Sequence, residues 1–178
     1  QLIAASKDAD KVIFLIDRIE LGTQSLKEYK GFAEDSEDVQ ATENTDVLVA
    51  KLSSTNPADT LIVTSIQKMS NIGDGGKADV KKADLAAIQS KRIVFIVDEC
   101  HRSVFGENMM PRIKRTFPRA IFFGFSGTPI QDENQKKGSV TATIFGNELH
   151  KYSIADGIRD GNVLGFDPYK VLVYKDRD

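Results

Sequence analysis

The sequence predicts an α/β protein in which a mainly parallel β-sheet is flanked by helices. Two runs, at residues 12–16 and 93–97, are apolar at every position and show no alternation with polar residues. Such runs are typical of strands that are covered on both faces, as in a parallel sheet between two layers of helices. Apolar residues at helical spacing occur between the runs, and strands that alternate with helices indicate βαβ units with right-handed crossovers.

Five short runs rich in β-branched and aromatic residues give the predicted strands. Residues 1–10 are expected to be the end of a helix, because Leu2, Ile3 and Ala5 are apolar and no helix start signal precedes them. A chain that opens inside an element suggests a fragment or a domain cut at its N-terminal side. The predicted strands lie at residues 12–16, 61–63, 93–97, 120–125 and 171–174.

Helices are predicted after the first and third strands, where apolar residues recur at positions i, i+3 and i+7. A later helix is expected to begin at a capping box formed by Ser153 and Asp156 and to stop at Gly161. Three polar segments, at residues 34–44, 71–82 and 131–139, are predicted to be loops. The first two helical patterns are set by Leu26, Tyr29 and Ala33, and by Met110, Ile113 and Phe117, and the second set is expected to face the core.

Composition excludes several classes of protein. A length of 178 residues corresponds to one domain of about 150 residues. With 24 basic and 26 acidic side chains the net charge is −2, which excludes a polybasic protein but leaves a local basic groove open. The single cysteine, Cys100, excludes an internal disulfide and a zinc site with two or four cysteines, and it fits a reducing compartment such as the cytoplasm. No apolar run approaches the roughly 18 residues of a membrane span.

Polar side chains follow four of the predicted strands. Because the carboxyl ends of parallel strands meet at one edge of a sheet, and ligands bind at that edge in open α/β sheets, we expect these side chains to form one site. They are Asp17 and Arg18 after the first strand, Thr64, Ser65 and Gln67 after the second, Asp98, Glu99, Cys100 and His101 after the third, and Ser126, Gly127 and Thr128 after the fourth.

Asp98 and Glu99 directly follow an apolar strand, which is the Walker B arrangement. The first acid of that arrangement holds Mg²⁺, usually through water, because Mg²⁺ gives up its water reluctantly. The second acid is placed to orient or deprotonate the attacking water in phosphoryl transfer. The alternative is a helix N-terminus at which Asp98 is the cap and Glu99 favours the helix dipole. The strand before the two acids and His101 after them favour Walker B.

The four polar segments resemble the motifs of superfamily 2 helicases and translocases. Residues 98–101 read DECH and look like the DEAD/DEAH-type box, and residues 126–129 read SGTP and look like motif III. Asp17 and Arg18 with Gln24 resemble motif Ia, and residues 64–69 resemble motif Ib.

Longer strings narrow this resemblance to the motor subunit, or R subunit, of type I restriction-modification enzymes. The strings are DECHRSVF at residues 98–105, GFSGTPI at residues 124–130 and FGNELHKYSIADGIRDG at residues 145–161. The resemblance extends from about residue 11 to residue 166. It implies a RecA-like sheet of the P-loop NTPase fold and a motor that uses ATP to pull duplex DNA, while DNA cleavage belongs to a nuclease domain elsewhere.

The resemblance also implies a role for each motif residue. Asp98 would be the acid for Mg²⁺, Glu99 the catalytic acid/base, and His101 the link between the ATP site and motif III. ATP and Mg²⁺ are the implied cofactors. Duplex DNA and the modification and specificity subunits of a type I restriction complex are the implied partners. The hydroxyls of Ser126 and Thr128 would take part in coupling, and Arg18, Gln24, Thr64 and Gln67 would lie along the DNA.

One departure from the family is the phosphate-binding loop. The chain contains no G-x-x-x-x-G-K-[ST] pattern, and the glycine-rich segment at residues 71–77 lacks its spacing. The loop is therefore expected upstream of residue 1. We expect residues 1–166 to be part of lobe 1 of the motor and residues 167–178 to begin a link to the next domain. Another superfamily 2 helicase and a non-hydrolysing DNA-binding or assembly module are the alternatives.

Two lesser signals complete the sequence analysis. Cys100 and His101 are adjacent, but a metal site through the thiol would need ligands that the sequence does not provide nearby. Cys100 is therefore expected to be a small buried residue without reactivity. His150 is expected to be a histidine on the surface or at a helix entry.

Overall fold

A computed structural model describes residues 3, 6–16, 39–41, 44–73, 78, 80–101, 109–128 and 141–165. The chain divides into two compact units, Gln1–Gly146 and Asn147–Asp178. The predicted helix at residues 26–33, the predicted strand at residues 171–174 and the predicted link after residue 166 lie outside the described residues.

The first unit is built on a five-stranded sheet in which every neighbouring pair of strands is parallel. The strand order is β2-β3-β1-β4-β5, so β1 lies at the centre, between β3 and β4. This arrangement confirms the predicted α/β fold with a RecA-like parallel sheet. The strands are β1 Lys11–Ile16, β2 Val39–Ala41, β3 Leu61–Ser65, β4 Ile93–Val97 and β5 Ile121–Gly124.

Helices surround the sheet, and one short helix belongs to the second unit. None of the helices in the described ranges is long and apolar enough to cross a membrane. The α-helices are α1 Thr45–Ser53, α2 Ile66–Ser70, α3 Lys82–Gln89, α4 Met109–Thr116 and α5 Thr141–Phe145 in the first unit and α6 Ile154–Arg159 in the second, and a 3-10 helix covers Pro57–Asp59.

The central strands carry apolar side chains on both faces, as their uninterrupted apolar runs predict. On one face Leu15 and Phe95 belong to the larger apolar cluster, into which α1, α2 and α4 also insert side chains. On the other face Val12 and Val94 belong to a second cluster. Successive residues of a strand point to opposite faces, so a strand buried on both sides cannot alternate between apolar and polar residues.

Two predicted helices are confirmed. Met110 and Ile113 of α4 are fully buried, and Phe117 directly after it is nearly so, which places the predicted apolar stripe in the core. In α6 the Ser153 hydroxyl accepts the Asp156 N–H, and the Asp156 carboxylate accepts the Ser153 N–H, which is the predicted capping box. Gly161 follows the helix with φ +73°, a left-handed conformation that glycine adopts without strain.

The prediction of a loop at residues 34–44 is wrong at Val39–Ala41, which form β2 at the edge of the sheet. A three-residue strand leaves too short a pattern to read, and its pairing with β3 decides its conformation. The predicted loop at residues 71–82 also ends one residue early, since α3 begins at Lys82.

Candidate active site

The parallel strands bring three of the four predicted polar segments to the carboxyl edge of the sheet. The registers of β1 with β3, β1 with β4 and β4 with β5 all run in the same direction. Asp98–His101 follow β4 and Ser126–Thr128 follow β5, while Thr64 ends β3 together with Ser65. Arg18 and Gln24, predicted on the segment after β1, lie outside the described residues.

The turn at Asp98 and Glu99 is fixed by the strands on both sides of β4. The Asp98 N–H donates to the Leu15 carbonyl at 3.0 Å, and the Cys100 N–H donates to the Phe125 carbonyl at 2.9 Å. The Asp98 Oδ1 atom accepts the Glu99 N–H at 2.9 Å. With its neighbours held in this way, Glu99 adopts φ +46°, in the left-handed region that non-glycine residues rarely occupy.

Cys100 and His101 are helical, so Asp98 and Glu99 precede a helix start, but the bond that Asp98 makes is not that of a helix N-cap. A cap accepts an N–H two or three residues further along the chain, whereas Asp98 accepts the N–H of the next residue. The carbonyls of Leu15 and Phe125, which hold the turn, were not identified from the sequence. Backbone acceptors carry no residue signature, so only the strand order reveals them.

His101 is the centre of a hydrogen-bond network that joins the two segments. Its Nδ1 atom lies 2.7 Å from the Ser126 hydroxyl and 3.2 Å from Glu99 Oε2. Its Nε2 atom lies 3.3 Å from the Thr128 hydroxyl. With a proton on Nδ1 alone, the ring donates towards Ser126 and Glu99 and accepts from Thr128, and a second proton turns both nitrogens into donors.

The loop after β5 holds its own hydroxyl in place. The Ser126 hydroxyl accepts the Thr128 N–H at 3.0 Å, which is a local turn stabilised by a serine side chain. The same oxygen faces His101, so the orientation of the loop and that of the imidazole are coupled. The structure thus brings together Glu99, His101, Ser126 and Thr128.

The two remaining described candidates differ in exposure. Thr64 lies in β3 and is 3% exposed. Gln67 lies in the first turn of α2 and is exposed. Ser65 caps this helix, since its hydroxyl accepts the Lys68 N–H at 3.2 Å. Gln67 is therefore accessible to a ligand at the carboxyl edge, whereas Thr64 is enclosed by its neighbours.

Among the described residues of this site, the Asp98 carboxylate could hold a metal ion. Within the parts of the chain that the structure covers, no group of three or more His, Cys, Asp and Glu side chains could enclose an ion. A single carboxylate fits Mg²⁺, because this ion usually keeps several waters and takes one or two carboxylates together with substrate phosphates. The Oδ1 atom of Asp98 binds the Glu99 N–H, so the turn fixes the orientation of the carboxylate.

Cys100 has a structural environment, in agreement with the sequence analysis. Its side chain is 2% exposed. Burial raises the pKa of the Cys100 thiol to about 11, so the thiolate that would act as nucleophile or metal ligand is scarce near neutral pH. His150 is exposed, also as expected.

Comparison with known proteins agrees with these motifs. The sequence pattern of the SWI2/SNF2 ATPase family matches residues 1–178. The chain is 41% identical, over 99% of its length, to a type I restriction enzyme endonuclease subunit of Staphylococcus aureus strain COL. It is 45% identical, over 93% of its length, to a subunit of the same description from Staphylococcus saprophyticus.

These alignments cover only 18% and 17% of the two relatives, so the chain spans less than a fifth of their length. The resemblance to type I restriction endonuclease subunits that the motifs predict is nevertheless confirmed over nearly the whole chain. Because the family pattern matches from the first residue to the last, the chain belongs to the SWI2/SNF2 ATPase family.

Proposed function

We propose that this chain is part of lobe 1 of the ATP-dependent motor of a type I restriction endonuclease subunit. The motor couples hydrolysis of Mg-ATP to movement along duplex DNA, and DNA cleavage belongs to a nuclease domain outside this chain. The subunit works with modification and specificity subunits. The observation that carries the proposal is the network in which His101 joins Glu99 to Ser126 and Thr128 at the carboxyl edge of a parallel sheet.

The chemical roles follow the positions of the two acids. Mg²⁺, when bound with ATP, supplies charge neutralisation at the phosphates. Asp98 would hold the ion, usually through water, and its carboxylate is oriented by its bond to the Glu99 N–H. Glu99 orients the attacking water and accepts its proton on a carboxylate oxygen. Its contact with His101 Nδ1, at 3.2 Å, limits the directions in which that carboxylate can point.

We assign the coupling of ATP hydrolysis to DNA contact to His101 and to the hydroxyls of Ser126 and Thr128. A change at Glu99 during turnover alters the partner of His101 Nδ1, which also lies 2.7 Å from Ser126. The bond between the Ser126 hydroxyl and the Thr128 N–H then transmits the change to the loop after β5. Such a relay needs no large movement, since each hydroxyl exchanges donor and acceptor roles by rotation.

Contact with DNA is assigned to Arg18, Gln24, Thr64 and Gln67. Among them Gln67 has support from its exposure at the carboxyl edge. The burial of Thr64 favours a supporting role in β3 over direct contact. An amide side chain hydrogen-bonds phosphate and sugar oxygens, which positions a protein on DNA without reading its sequence.

The test is DNA-stimulated ATP hydrolysis by the polypeptide that carries this chain, compared with its Glu99→Gln variant. We expect Glu99→Gln to lower turnover by roughly 10²–10⁴-fold, because the amide cannot accept the proton, while nucleotide affinity changes little. Glu148→Gln is the matched control, since Glu148 is exposed and in the second unit, and it should leave turnover unchanged.

The outcomes separate the proposal from its alternatives. Near-normal turnover by Glu99→Gln would remove Glu99 from the chemistry. A wild-type polypeptide that binds duplex DNA without hydrolysing ATP would be a binding or assembly module. ATP hydrolysis stimulated by DNA, but accompanied by strand separation instead of translocation along the duplex, would indicate another superfamily 2 helicase.

A further inference from the structure

The helix that carries Gln67 depends on its surroundings for its position. Helix α2 has five residues, Ile66–Ser70, which is far below the ~12 residues that an isolated helix needs to be even marginally stable in water. Ile66 and Met69 are buried in the larger apolar cluster. Gln67 lies on the exposed side of this helix. Its position therefore depends on the contacts that hold the two ends of α2.

Helix α4 holds the C-terminal end of α2. Arg112 of α4 donates from Nη1 to the Ser70 carbonyl at 3.4 Å. Thr116, the last residue of α4, directs its hydroxyl towards the Ile72 carbonyl at 3.4 Å and the Arg112 carbonyl at 3.0 Å. Gln89 donates from Nε2 to the carbonyl of Thr116, so α3 fixes the same residue from another side.

Gly73 lies close against the end of α4. Its φ of +92° lies in the left-handed region. A Cβ atom added to Gly73 would lie 2.3 Å from the Thr116 hydroxyl oxygen and 2.6 Å from the Thr116 methyl carbon. No side chain fits at such distances, so the turn that follows α2 rests directly on the end of α4.

We propose that Gly73 and Thr116 are positioning residues that hold α2 against α4 and thereby set the place of Gln67 on DNA. This inference rests on the proposed function, because it assumes that Gln67 contacts DNA. Helix α4 also follows the Asp98–His101 segment along the chain. The contact between α4 and Gly73 therefore links the element that follows the ATP-site turn to the segment that meets DNA.

The test compares the same substitution at two left-handed glycines in the polypeptide that carries this chain. Gly146 has φ +84° and nothing within 4 Å of an added Cβ, so Gly146→Ala also places a side chain in the left-handed region but without the collision. We expect Gly73→Ala to raise the DNA concentration for half-maximal ATPase stimulation by about 10-fold, and Gly146→Ala by less than about 2-fold. The kcat and KM for ATP without DNA should stay unchanged in both variants.

Two combined variants test the mechanism. Thr116→Ala removes the atoms at 2.3 and 2.6 Å and leaves only the Thr116 Cβ, at 3.0 Å. Gly73→Ala with Thr116→Ala should therefore bring the DNA concentration for half-maximal stimulation part of the way back to the wild-type value, because the collision is removed but the hydroxyl contact with the Ile72 carbonyl is lost. Gln67→Ala combined with Gly73→Ala should need no more DNA for half-maximal stimulation than the weaker-binding of the two single variants, because both changes remove the same contact. Full additivity of these two losses would overturn the proposal.

Other outcomes would also overturn it. Equal effects of Gly73→Ala and Gly146→Ala would indicate backbone strain alone, and a raised KM for ATP with unchanged DNA half-saturation would place the defect at the nucleotide. If wild-type protein shows no DNA-stimulated hydrolysis, the proposed function fails separately. Amide hydrogen exchange of residues 66–73 then tests the positioning. The exchange should become faster in Gly73→Ala and slow down in part in the double variant with Thr116→Ala, and unchanged exchange in Gly73→Ala would contradict the positioning role.

Discussion

At the scale of single residues, Glu99 shows how the sheet imposes a conformation that the residue itself disfavours. A left-handed conformation costs a residue with a Cβ atom about 1–2 kcal/mol. The backbone bonds of Asp98 to Leu15 and of Cys100 to Phe125 lie on either side of Glu99. Each contributes on the order of 1 kcal/mol, which is enough to offset the strain. The backbone of Glu99 is thereby fixed at a place from which its Oε2 atom lies 3.2 Å from His101 Nδ1.

Lys11 is the most unusual single residue of the core. Its side chain is 1% exposed at the start of β1, and its Nζ atom donates to the Asp59 carbonyl at 2.7 Å. Burial, and secondarily the charge of Lys91, lowers the pKa of Lys11 from 10.5 to about 8. The folded protein therefore carries a buried ammonium at pH 7 whose desolvation works against folding.

Replacing Lys11 by methionine should change stability in a pH-dependent way. Well below pH 8 the wild-type ammonium is charged in both the folded and the unfolded state, and its desolvation cost is fully present. Between about pH 8 and 10.5 the unfolded chain binds more protons than the folded one, so the free energy of unfolding of the wild type rises with pH. In urea unfolding of the 178-residue chain, the free energy of unfolding of Lys11→Met minus that of the wild type should fall by roughly 1–2 kcal/mol between pH 7 and pH 9.5.

The control for this experiment is Lys151→Met, at an exposed lysine. Its stability difference from wild type should be the same at both pH values, because its charge is solvated in both the folded and the unfolded chain. A Lys11→Met difference that also stays constant between pH 7 and 9.5 would show that the pKa of Lys11 is not lowered in the folded state.

At the scale of elements, Lys91 connects a helix to the sheet. Its Nζ atom donates to the carbonyls of Leu52, Ser53 and Ser54 at 2.7, 2.9 and 2.8 Å, so the lysine caps the C-terminal end of α1. The last carbonyls of a helix have no partner within the helix, and a cation there also complements the helix dipole. Because Lys91 lies just before β4, it ties α1 to the strand that leads to Asp98.

Lys91→Met should loosen the end of α1. Three charge-assisted bonds on a partly exposed lysine contribute about 1–2 kcal/mol in total, which corresponds to roughly 10-fold faster amide exchange in the last turn of the helix. Hydrogen exchange read by mass spectrometry on peptides covering residues 48–54 measures this change. Lys82→Met, at an exposed position that starts α3, serves as the control. Equal exchange in the two variants would contradict the capping role.

Elements with a local pattern could be predicted, and elements set by distant contacts could not. The strands at residues 12–16 and 93–97 are visible in the sequence because both faces must be apolar. Helix α4 could be predicted because its buried residues Met110 and Ile113 recur at helical spacing. Helix α1 was not predicted, since it buries only Leu48 and Leu52 and its end is fixed by Lys91, far away in sequence. Such a contact leaves no local signal.

At the scale of the whole molecule, the parallel sheet explains why the site residues could be identified early. Once β4 and β5 are known to be parallel neighbours, Glu99, His101, Ser126 and Thr128 must lie at one edge. The bonds among them, the left-handed Glu99 and the contact of Gly73 with Thr116 depend on distances that no sequence pattern specifies. Their roles in ATP hydrolysis and DNA binding stay predictions until the variants are measured.

The division into two units predicts where a protease cuts. The second unit begins at Asn147, and residues 146–153 have no regular secondary structure, with Lys151 exposed among them. Proteases need an extended, accessible segment, so trypsin should cut the 178-residue chain after Lys151 before it cuts after Lys11, Lys91 or Lys114, which are buried or hydrogen-bonded to carbonyls. Timed digestion read by mass spectrometry should show a fragment ending at Lys151 early, and Lys151→Gln should abolish it. Earlier cleavage after Lys91 or Lys114 would mean that the first unit opens before the segment at residues 146–153 is cut.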